Sequence, residues 1–305
     1  MKIKPMKAPS EPITDEQLSE LIYPVAGSPK IDGFRCLIDE QIPKTSSMKP
    51  FMNKFVQKEL SGYKELEGFD GEMIVGKLND PNIFELSSGP LRRFEGEPDF
   101  TLWVFNCTLN PKCSYEQRWL DLIAEGKPDT IHPRIRILPQ RLLYSPEEIL
   151  AYEEVQLSRG FEGIMLQSLH APWKNGRATF KEKYVFKRKP FVDEEAIIID
   201  FVEQLENTNE QVTNELGRSK RSSHQAGMIP KGTLGKFLVK NKRWGEFAVG
   251  LGKLTQLEAL KVWDNREVYL GQIITFRYQE HGSQDKPRQP RFRRFRPDWD
   301  ITEEV

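Results

Sequence analysis

Short apolar runs, separated by polar or glycine-containing turns, recur along the chain and predict a fold built largely from β-strands. In the first two-thirds of the sequence, the predicted strands cover residues 29–38, 71–75, 100–108, 161–168, 180–189 and 196–203. The first of these runs contains the pair Asp32-Gly33, and an Asp-Gly pair is also a common hairpin signal.

Capping signals predict helices between these strands. Thr14 and Gln17 have the spacing of a capping box, which predicts a short helix running to Leu21. Ser145, followed by proline and by glutamate three positions on, predicts a helix that ends at Gly160. Apolar positions on one helical face predict another helix within residues 51–60.

The last third of the chain has a different pattern. Residues 206–232 are rich in Asn, Ser, Thr, Gly and basic residues without periodicity, which predicts a long, mobile surface loop. Short strand-like segments follow at 233–240, 246–252 and 268–279, with a capped helix starting at Thr255. This arrangement is typical of a small β-barrel of OB type. The predicted class is therefore α+β, with antiparallel sheets and flanking helices in residues 1–192 and an OB-fold barrel in residues 193–305.

Composition is that of a globular protein. The 305 residues are 38% hydrophobic and 30% charged, and no apolar run approaches the roughly 18 residues that cross a bilayer. The N-terminus has no apolar segment of a secretory signal, and three cysteines are too few for a disulfide scaffold. We therefore expect no membrane association and a reducing, cytoplasmic compartment.

Basic charge is local rather than general. Positive and negative residues both number 45, so the formal net charge is zero. The C-terminal part nevertheless concentrates cations with few acids between them, namely Lys286, Arg288, Arg291, Arg293, Arg294 and Arg296. A basic groove for an acidic partner is therefore compatible with the neutral total.

The sharpest chemical signal is the segment 30–35, KIDGFR. A lysine is a nucleophile only when it is deprotonated, and burial or neighbouring cations depress its pKa towards neutrality. The sequence therefore predicts Lys30 as a nucleophile with a lowered pKa. The alternative is an ordinary Asp-Gly hairpin with Lys30 and Arg35 as solvated flanks.

Further charged residues follow at the ends of predicted strands. Glu72 and Glu162 each stand next to a glycine beside an apolar strand, and Lys187 and Lys189 alternate so that both face the same side. Two carboxylates suit a divalent metal that keeps some water ligands, and paired lysines suit phosphate oxygens. Taken alone, each of these residues is better explained as a surface charge. Their occurrence in this order favours a site that binds a metal and phosphate.

In this order the residues resemble the covalent nucleotidyltransferase superfamily, specifically the small phage-type ATP-dependent DNA ligases. The KxDGxR, DGE, EG and KxK motifs of that family are similar to residues 30–35, 70–72, 162–163 and 187–189. An aromatic strand motif, VFD, is similar to residues 104–106. GTLGKFLV, FAVGLG and RFRRFRPD in the C-terminal half resemble the OB-domain elements, so the resemblance spans residues 28–298.

The resemblance implies a role for each residue in binding ATP. Lys30 would attack the α-phosphorus and expel pyrophosphate, and the AMP would pass to the 5′-phosphate of a nick before the 3′-hydroxyl displaces it. Arg35 and Glu72 would hold the ribose, and Phe105 would stack on the adenine. The remaining expected nucleotide contacts are Lys187 and Lys189 at the α-phosphate, Arg294 and Arg296 at the β- and γ-phosphates, and Ser28, Pro29 and Ile31 around the nucleophile. Glu72 and Glu162 would help to position Mg²⁺ or Mn²⁺.

The resemblance also implies nicked duplex DNA as the partner, with a role in DNA repair, replication or recombination. Ser46 and Lys49 stand near the place of a serine-arginine pair that contacts phosphate in the family. The predicted loop contains Arg218, Lys220 and Arg221, which would extend the contact with the DNA backbone. Such phosphate contacts predict binding that weakens with salt and has little sequence preference. The resemblance further implies a bacterial or phage-infected cell, and we expect the two-domain chain to act as a monomer.

Several positions depart from the family pattern. The acid expected two residues before the nucleophile is Ser28, and the expected arginine of the serine-arginine pair is Ser47. The VFD aspartate is Asn106, the lysine after the EG strand is Gln167, and the lysine that ends the last motif is Trp299. We expect these changes to affect nucleotide binding more than the attack of Lys30 on phosphorus.

Two alternatives stay open. An RNA ligase or an mRNA-capping guanylyltransferase would keep the chemistry and change the substrate; a capping enzyme would take GTP. A non-enzymatic OB module that binds nucleic acid would explain the C-terminal arginines but not the ordered set in the first domain.

Overall fold

A computed structural model describes residues 3–124, 131–213, 219–221 and 225–296, with the side chains of 124, 211–213, 219–221 and 226 left aside. The chain divides into two compact units, Met1–Pro190 and Phe191–Val305, which are described separately. No helix in the described ranges is long and apolar enough to span a bilayer. Cys36, Cys107 and Cys113 are free thiols.

The first unit is a mixture of strands and short helices. Its elements follow in the order β1 (Met6–Lys7), α1 (Asp15–Leu18), β2 (Val25–Pro29), β3 (Phe34–Asp39), β4 (Ile42–Thr45), α2 (Lys54–Leu60), β5 (Phe69–Val75), α3 (Ile83–Arg92), β6 (Phe100–Cys107), α4 (Tyr115–Ala124), β7 (Ile135–Ile137), β8 (Arg141–Leu143), α5 (Pro146–Ser158), β9 (Ile164–Ser168), β10 (Gly176–Arg177) and β11 (Val185–Arg188).

These strands form two main sheets. One has the order β4-β3-β5-β6-β7 and the other β11-β9-β2-β8, while β1 and β10 form a separate parallel pair. Neighbours in the two main sheets are antiparallel, except that β6 and β7 run parallel. Each sheet has its own core; in the first, Met73, Leu102 and Val104 are fully buried. Each such side chain contributes about 1.5–3 kcal/mol through its removal from water.

The caps that the sequence signals are present. The Thr14–Gln17 capping box forms, although α1 ends at Leu18 rather than Leu21. The Ser145 hydroxyl accepts from the amide of Glu148, and the chain leaves α5 through Gly160 at φ +91°. A glycine tolerates this left-handed backbone because it has no Cβ.

The predicted strand over residues 29–38 is wrong. β2 ends at Pro29 and β3 begins at Phe34, and the two strands belong to different sheets. Asp32-Gly33 therefore lies in a crossing between sheets and not in a hairpin. Gly33 is needed there, because a Cβ would lie 2.7 Å from the carbonyl oxygen of Met73. The predicted strand 180–189 is likewise limited to β11.

The second unit is a closed barrel. Its elements are β12 (Val192–Asn207), β13 (Gln211–Thr213), β14 (Ser219–Arg221), a 3-10 turn (Gln225–Gly227), β15 (Met228–Asn241), β16 (Gly245–Gly250), α6 (Gln256–Asp264), α7 (Arg266–Tyr269), β17 (Ile273–Gln279) and β18 (Arg288–Phe295). The barrel order is β12-β15-β16-β18-β17, and Phe237, Phe276 and Tyr278 are fully buried in its core. The predicted α+β class with an OB-type barrel is confirmed.

Three details of the second unit differ from the predictions. The loop predicted over 206–232 is instead a ribbon, because β12 and β15 stay paired out to Asn207 and Met228 and β13 pairs with β14 beyond them. The strand predicted over 268–279 begins only at Ile273, since Val268 lies in α7. The arginine-rich strand β18 was not predicted as a strand.

Candidate active site

A cavity of about 270 Å³ lies in the first unit, lined from both main sheets. β2 and β9 contribute from one sheet, and β3, β5 and β6 contribute from the other. It contains most of the residues predicted for the nucleotide site, namely Ser28, Pro29, Lys30, Ile31, Arg35, Glu72, Phe105 and Lys187. The crossing between sheets therefore brings together residues that are far apart in sequence.

Lys30 lies on that crossing. Its amide donates to the carbonyl of Gly163 at 2.8 Å, which continues the pairing of β2 with β9 by one residue. Ile31 is buried in a small cluster with Ile74 and Leu138 and anchors the segment on its other side. The lysine is therefore held between two fixed neighbours.

The amine of Lys30 contacts a buried carboxylate. Lys30 Nζ donates to Glu162 Oε2, and Glu162 Oε1 accepts from Lys189 Nζ at 3.0 Å. Glu162 is only 3% exposed. Burial alone would raise its pKa, but the charges of Lys30 and Lys189 outweigh burial and lower the pKa to about 2. Glu162 is thus an anion at neutral pH.

The expected lowering of the Lys30 pKa is wrong. Burial would lower this pKa, but contact with Glu162, aided by the charges of Asp32 and Glu72, raises it above the ordinary lysine value. Lys30 is therefore an ammonium group at neutral pH. It must lose a proton before it can attack phosphorus.

Gly163 explains why the carboxylate lies so close. Its φ is +150°, and a Cβ there would lie 2.1 Å from the carbonyl oxygen of Arg188. The backbone of residue 163 therefore approaches the end of β11 more closely than any side-chain-bearing residue allows. This approach brings Glu162 and Lys189 together.

The two lysines of the KxK segment face the site, as alternation predicts. Lys187 lines the cavity and Lys189 contacts Glu162, whereas Arg188 between them pairs with Glu153 and Asp15. Burial, together with repulsion from Lys189 and Lys30, lowers the pKa of Lys187 to about 8. It is a cation at neutral pH that loses its charge in mildly alkaline solution.

Arg35 and Phe105 form one wall. The Arg35 guanidinium makes a two-pronged pair with the fully buried Asp70, with Nε–Oδ1 and Nη2–Oδ2 both at 2.6 Å. The guanidinium carbon lies 4.5 Å from the centre of the Phe105 ring. Asp70 was not predicted as a site residue, although it is the first letter of the DGE motif. It fixes the orientation of Arg35.

Glu72 also lines this wall. Burial raises its pKa to about 7, in spite of the nearby cations Arg35 and Lys30. It therefore titrates near neutral pH, unlike Glu162.

Tyr115 and Gln140 also line the cavity, contact the Phe105 backbone and were missed by the sequence reasoning. The Tyr115 hydroxyl donates to Gln140 Oε1 at 2.5 Å and lies 3.0 Å from the Phe105 carbonyl oxygen, which also accepts from Gln140 Nε2 at 3.1 Å. Burial raises the pKa of Tyr115 far above its usual range, so the hydroxyl stays protonated. No motif signals either residue, because their contact depends on the fold of α4 and of the β7–β8 connection.

Two of the residues that depart from the family pattern make defined contacts. Asn106 is buried, and its Oδ1 accepts from Arg118 Nε at 3.1 Å. Gln167 lines the cavity, and its Nε2 donates to the Tyr184 carbonyl at 2.9 Å.

Two of the predicted DNA contacts, Ser46 and Lys49, do not line this cavity. Ser46 and Lys49 are exposed in the turn after β4. Lys220 and Arg221 belong to β14, where only the backbone is described, and Arg218 lies outside the described residues, as does Trp299.

The predicted triphosphate contacts Arg294 and Arg296 belong to the second unit. Arg296 Nε lies 2.7 Å from Glu195 Oε1, and Arg294 lines a surface cavity of the barrel.

The carboxylates in the first unit fit a divalent cation that is shared with phosphate. Glu72 and Glu162 both act electrostatically on Lys30. Among the described residues no group of three or more His, Cys, Asp or Glu side chains forms a cage. Mg²⁺ is commonly held by one or two carboxylates, with substrate phosphates and water completing its shell.

Comparison with known proteins agrees with this architecture. Residues 228–296 match the family described as DNA ligase OB-like domain. One structure of Chlorella virus DNA ligase–adenylate is 26% identical, covers 97% of this chain and 99% of its own, and has a TM-score of 0.51. A second structure of the same enzyme is 25% identical over 97% and 100% of the two chains, with a TM-score of 0.53.

A Lig E DNA ligase structure shows likeness of fold alone. It is 19% identical, covers 96% of this chain and 98% of its own, and has a TM-score of 0.62. A comparison with curated protein sequences finds no match.

The fold, a two-sheet unit with a lysine-centred cavity followed by an OB-like barrel, resembles that of the small ATP-dependent DNA ligases. The likeness to the Chlorella virus DNA ligase covers nearly the whole of both chains.

Proposed function

We propose that this chain is an ATP-dependent DNA ligase that seals nicks between a 5′-phosphate and a 3′-hydroxyl, through an AMP group carried on Lys30. The observation that carries the proposal is the placement of the Lys30 amine. It contacts Glu162 in a cavity that also holds Lys187, Glu72 and the Arg35–Phe105 wall.

In the first step the Lys30 amine loses its proton and attacks the α-phosphorus of ATP, so that an N–P bond forms and the bond to pyrophosphate breaks. Lys187 lines the cavity and Lys189 contacts Glu162, and both would balance the charge that grows on the phosphoryl oxygens. Phe105 offers an aromatic face for the adenine. Arg35, fixed by Asp70, would hold the ribose.

In the later steps the 5′-phosphate of the nick takes AMP from Lys30, and the 3′-hydroxyl then displaces AMP. Both steps gather negative charge at phosphorus, so the same lysines would serve again. Glu72 and Glu162 would hold Mg²⁺ or Mn²⁺, which supplies further charge neutralisation at the phosphoryl oxygens.

The DNA side of the proposal rests on the second unit and on exposed residues of the first. The β12–β15 ribbon stays paired out to Asn207 and Met228, and beyond it β14, which contains Lys220 and Arg221, pairs with β13. Arg218 precedes β14 in the sequence. Ser46 and Lys49 would contact phosphate from the first unit. We further propose that the enzyme acts as a monomer in the cytoplasm.

Sealing of a nicked duplex tests this function. With Mg²⁺ and ATP, the protein should join the nick, and Lys30→Ala should not. A nick that already carries 5′-AMP bypasses the first step, so Lys30→Ala should retain measurable sealing of that substrate. Labelling with GTP instead of ATP would favour the capping alternative, and joining of single-stranded RNA alone would favour an RNA ligase.

A further inference from the structure

Lys189 lies at the end of a short edge strand, where fraying is expected. β11 is the edge strand of the sheet β11-β9-β2-β8 and is only four residues long. It ends at Arg188, and Pro190, which has no amide hydrogen, is the last residue of the first unit. Lys189 nevertheless contacts Glu162, the carboxylate that also contacts Lys30. The end of β11 must therefore be held in place.

The side chain of Arg188 attaches this end to its surroundings. Arg188 is only 8% exposed and lies between the two site lysines in sequence. Its Nε and Nη2 donate to Oε2 of Glu153 at 2.8 and 2.6 Å, and Nη2 also donates to Oδ1 of Asp15 at 2.9 Å. Nη1 donates to the backbone carbonyl of Ile13 at 3.3 Å. One side chain thus connects β11 with both α5 and the start of α1.

The partners of Arg188 belong to ordered elements. Glu153 lies in α5, a helix of 13 residues, and its side chain is mostly buried. Asp15 is the first residue of α1. The amide of Ile13 also donates to the carbonyl of Lys187 at 3.1 Å, so the segment before α1 holds β11 through its backbone as well. A guanidinium fork that bonds to carboxylates fixes direction as well as distance.

A movement of Arg188 would reach the site by two routes. Its backbone carbonyl lies against Gly163, where a Cβ would be only 2.1 Å away, and Gly163 directly follows Glu162 in the chain. The next residue, Lys189, contacts the carboxylate of Glu162 at 3.0 Å. Because Lys30 contacts the same carboxylate, the position of the nucleophile depends on where the end of β11 lies.

We propose that Arg188 is a positioning residue for the formation of lysyl-AMP. Its pairs with Glu153 and Asp15 hold the end of β11, and this strand holds Lys189 against Glu162. Arg188 itself does not line the cavity. The KxK motif leaves its middle residue open, so the resemblance gives Arg188 no role. The attachment of the strand stands on the contacts alone, whereas its effect on lysyl-AMP rests on the proposed function.

Two buried cations allow a matched comparison. Arg188→Met removes the guanidinium from between its two carboxylates. Lys44→Met is the control, because Lys44 is similarly buried, at 6% exposure, and also contacts two carboxylates, Asp39 and Glu40. Lys44 lies in β4, which belongs to the other main sheet, and does not line the cavity. Both variants leave carboxylates without their cation, so thermal unfolding should show a similar loss of stability.

Only Arg188→Met should slow the reaction. At saturating ATP its single-turnover rate of lysyl-AMP formation should fall by about tenfold to a hundredfold, as misplaced reacting groups do, while Lys44→Met stays within about twofold of the wild type. Arg188→Lys keeps the charge without the fork and should recover part of the rate. If Arg188→Met does not fold, Glu153→Gln serves the same test, with Asp39→Asn as its control. Equal rates in a variant and its control would overturn the proposal.

Amide hydrogen exchange measures the attachment without any reaction. Peptides covering residues 185–189 should exchange faster in Arg188→Met than in the wild type, and should exchange at the wild-type rate in Lys44→Met. Unchanged exchange in Arg188→Met would overturn the proposal, and so would faster exchange with a normal rate of lysyl-AMP formation. A wild-type protein that forms no lysyl-AMP would count against the proposed function and leave the exchange result standing.

Discussion

At the scale of single residues, the charges around Lys30 oppose each other. Glu162 holds the amine as an ammonium ion, while Lys187 and Lys189 repel it. The effect of the carboxylate is the stronger one, so the pKa of Lys30 is raised and the lysine is protonated. The first step therefore requires that nucleotide binding shift this balance.

Because of Lys187, the affinity for the triphosphate should depend on pH. Its pKa is lowered to about 8, so it is charged below this pH and neutral above it. Glu72, with a pKa of about 7, becomes an anion as the pH rises past this value. When no Mg²⁺ is present to bind Glu72, both changes weaken the attraction for phosphate as the pH rises, so the affinity is to be measured without the metal. The dissociation constant of a non-hydrolysable ATP analogue should therefore increase in two steps between pH 6 and 9, spanning the pKa values of both groups.

Lys187→Arg isolates the upper step, because a guanidinium stays charged throughout this range. The variant should keep the increase near pH 7 and lose the one near pH 8. Lys181→Arg, at an exposed position, is the control and should retain both steps. A variant Lys187→Arg that shows both steps unchanged would mean that Lys187 does not contact the nucleotide.

The motif residues around the cavity were predictable from their order, but their supports and charge states were not. Lys30 and Glu162 are 132 residues apart, and nothing local gives the contact that sets the lysine pKa. Asp70, Tyr115 and Gln140 act by holding Arg35 and Phe105. Such roles depend on strand pairing and helix placement, which composition does not encode.

At the scale of elements, the approach of β9 to β11 depends on Gly163. A Cβ at this position would collide with the Arg188 carbonyl, and its φ of +150° is unfavourable for other residues. Gly163→Ala should lower the free energy of unfolding by about 1–3 kcal/mol, the usual cost of overpacking. It should also slow lysyl-AMP formation, because Glu162 and Lys189 would move apart.

Gly89→Ala gives the matched control for this substitution. Gly89 lies in α3 directly before Pro90, and apart from its chain neighbours a Cβ there meets nothing within 4 Å. Alanine should leave the rate of lysyl-AMP formation unchanged, and only crowding against Pro90 should affect stability. Thermal unfolding and the single-turnover rate of lysyl-AMP formation should be measured for both variants. A Gly163→Ala protein with wild-type rate and stability would show that the close approach is not needed.

Element prediction succeeded where capping and apolar runs were strong, as in α5 and β5, and failed where tertiary structure decides. The pair Asp32-Gly33 predicts a turn, but it does not show that β2 and β3 belong to different sheets. The ribbon within residues 206–232 is polar, so its pairing leaves no apolar alternation to detect. In β18, arginines occupy an exposed barrel strand and hide its periodicity.

At the scale of the whole molecule, the two units carry different parts of the proposed function. Chemistry at phosphorus belongs to the first unit, and the extended ribbon belongs to the second. Replacing residues 209–227 with a short Gly-Ser turn should weaken binding to a nicked duplex and leave lysyl-AMP formation unchanged. The slope of log affinity against log salt should become less negative by roughly 0.9 for each DNA phosphate that the hairpin neutralises. If the shortened variant kept the wild-type affinity and salt slope, the hairpin would serve only as a spacer.

The central claim is that Lys30 carries AMP, and peptide mapping by mass spectrometry tests it most directly. After incubation with ATP and Mg²⁺, the peptide containing Lys30 should gain the mass of one adenylyl group. Lys30→Arg keeps the positive charge beside Glu162 but offers no amine that can deprotonate, so its peptides should gain nothing. An adenylyl group found on another residue, or on the Lys30→Arg protein, would contradict the account.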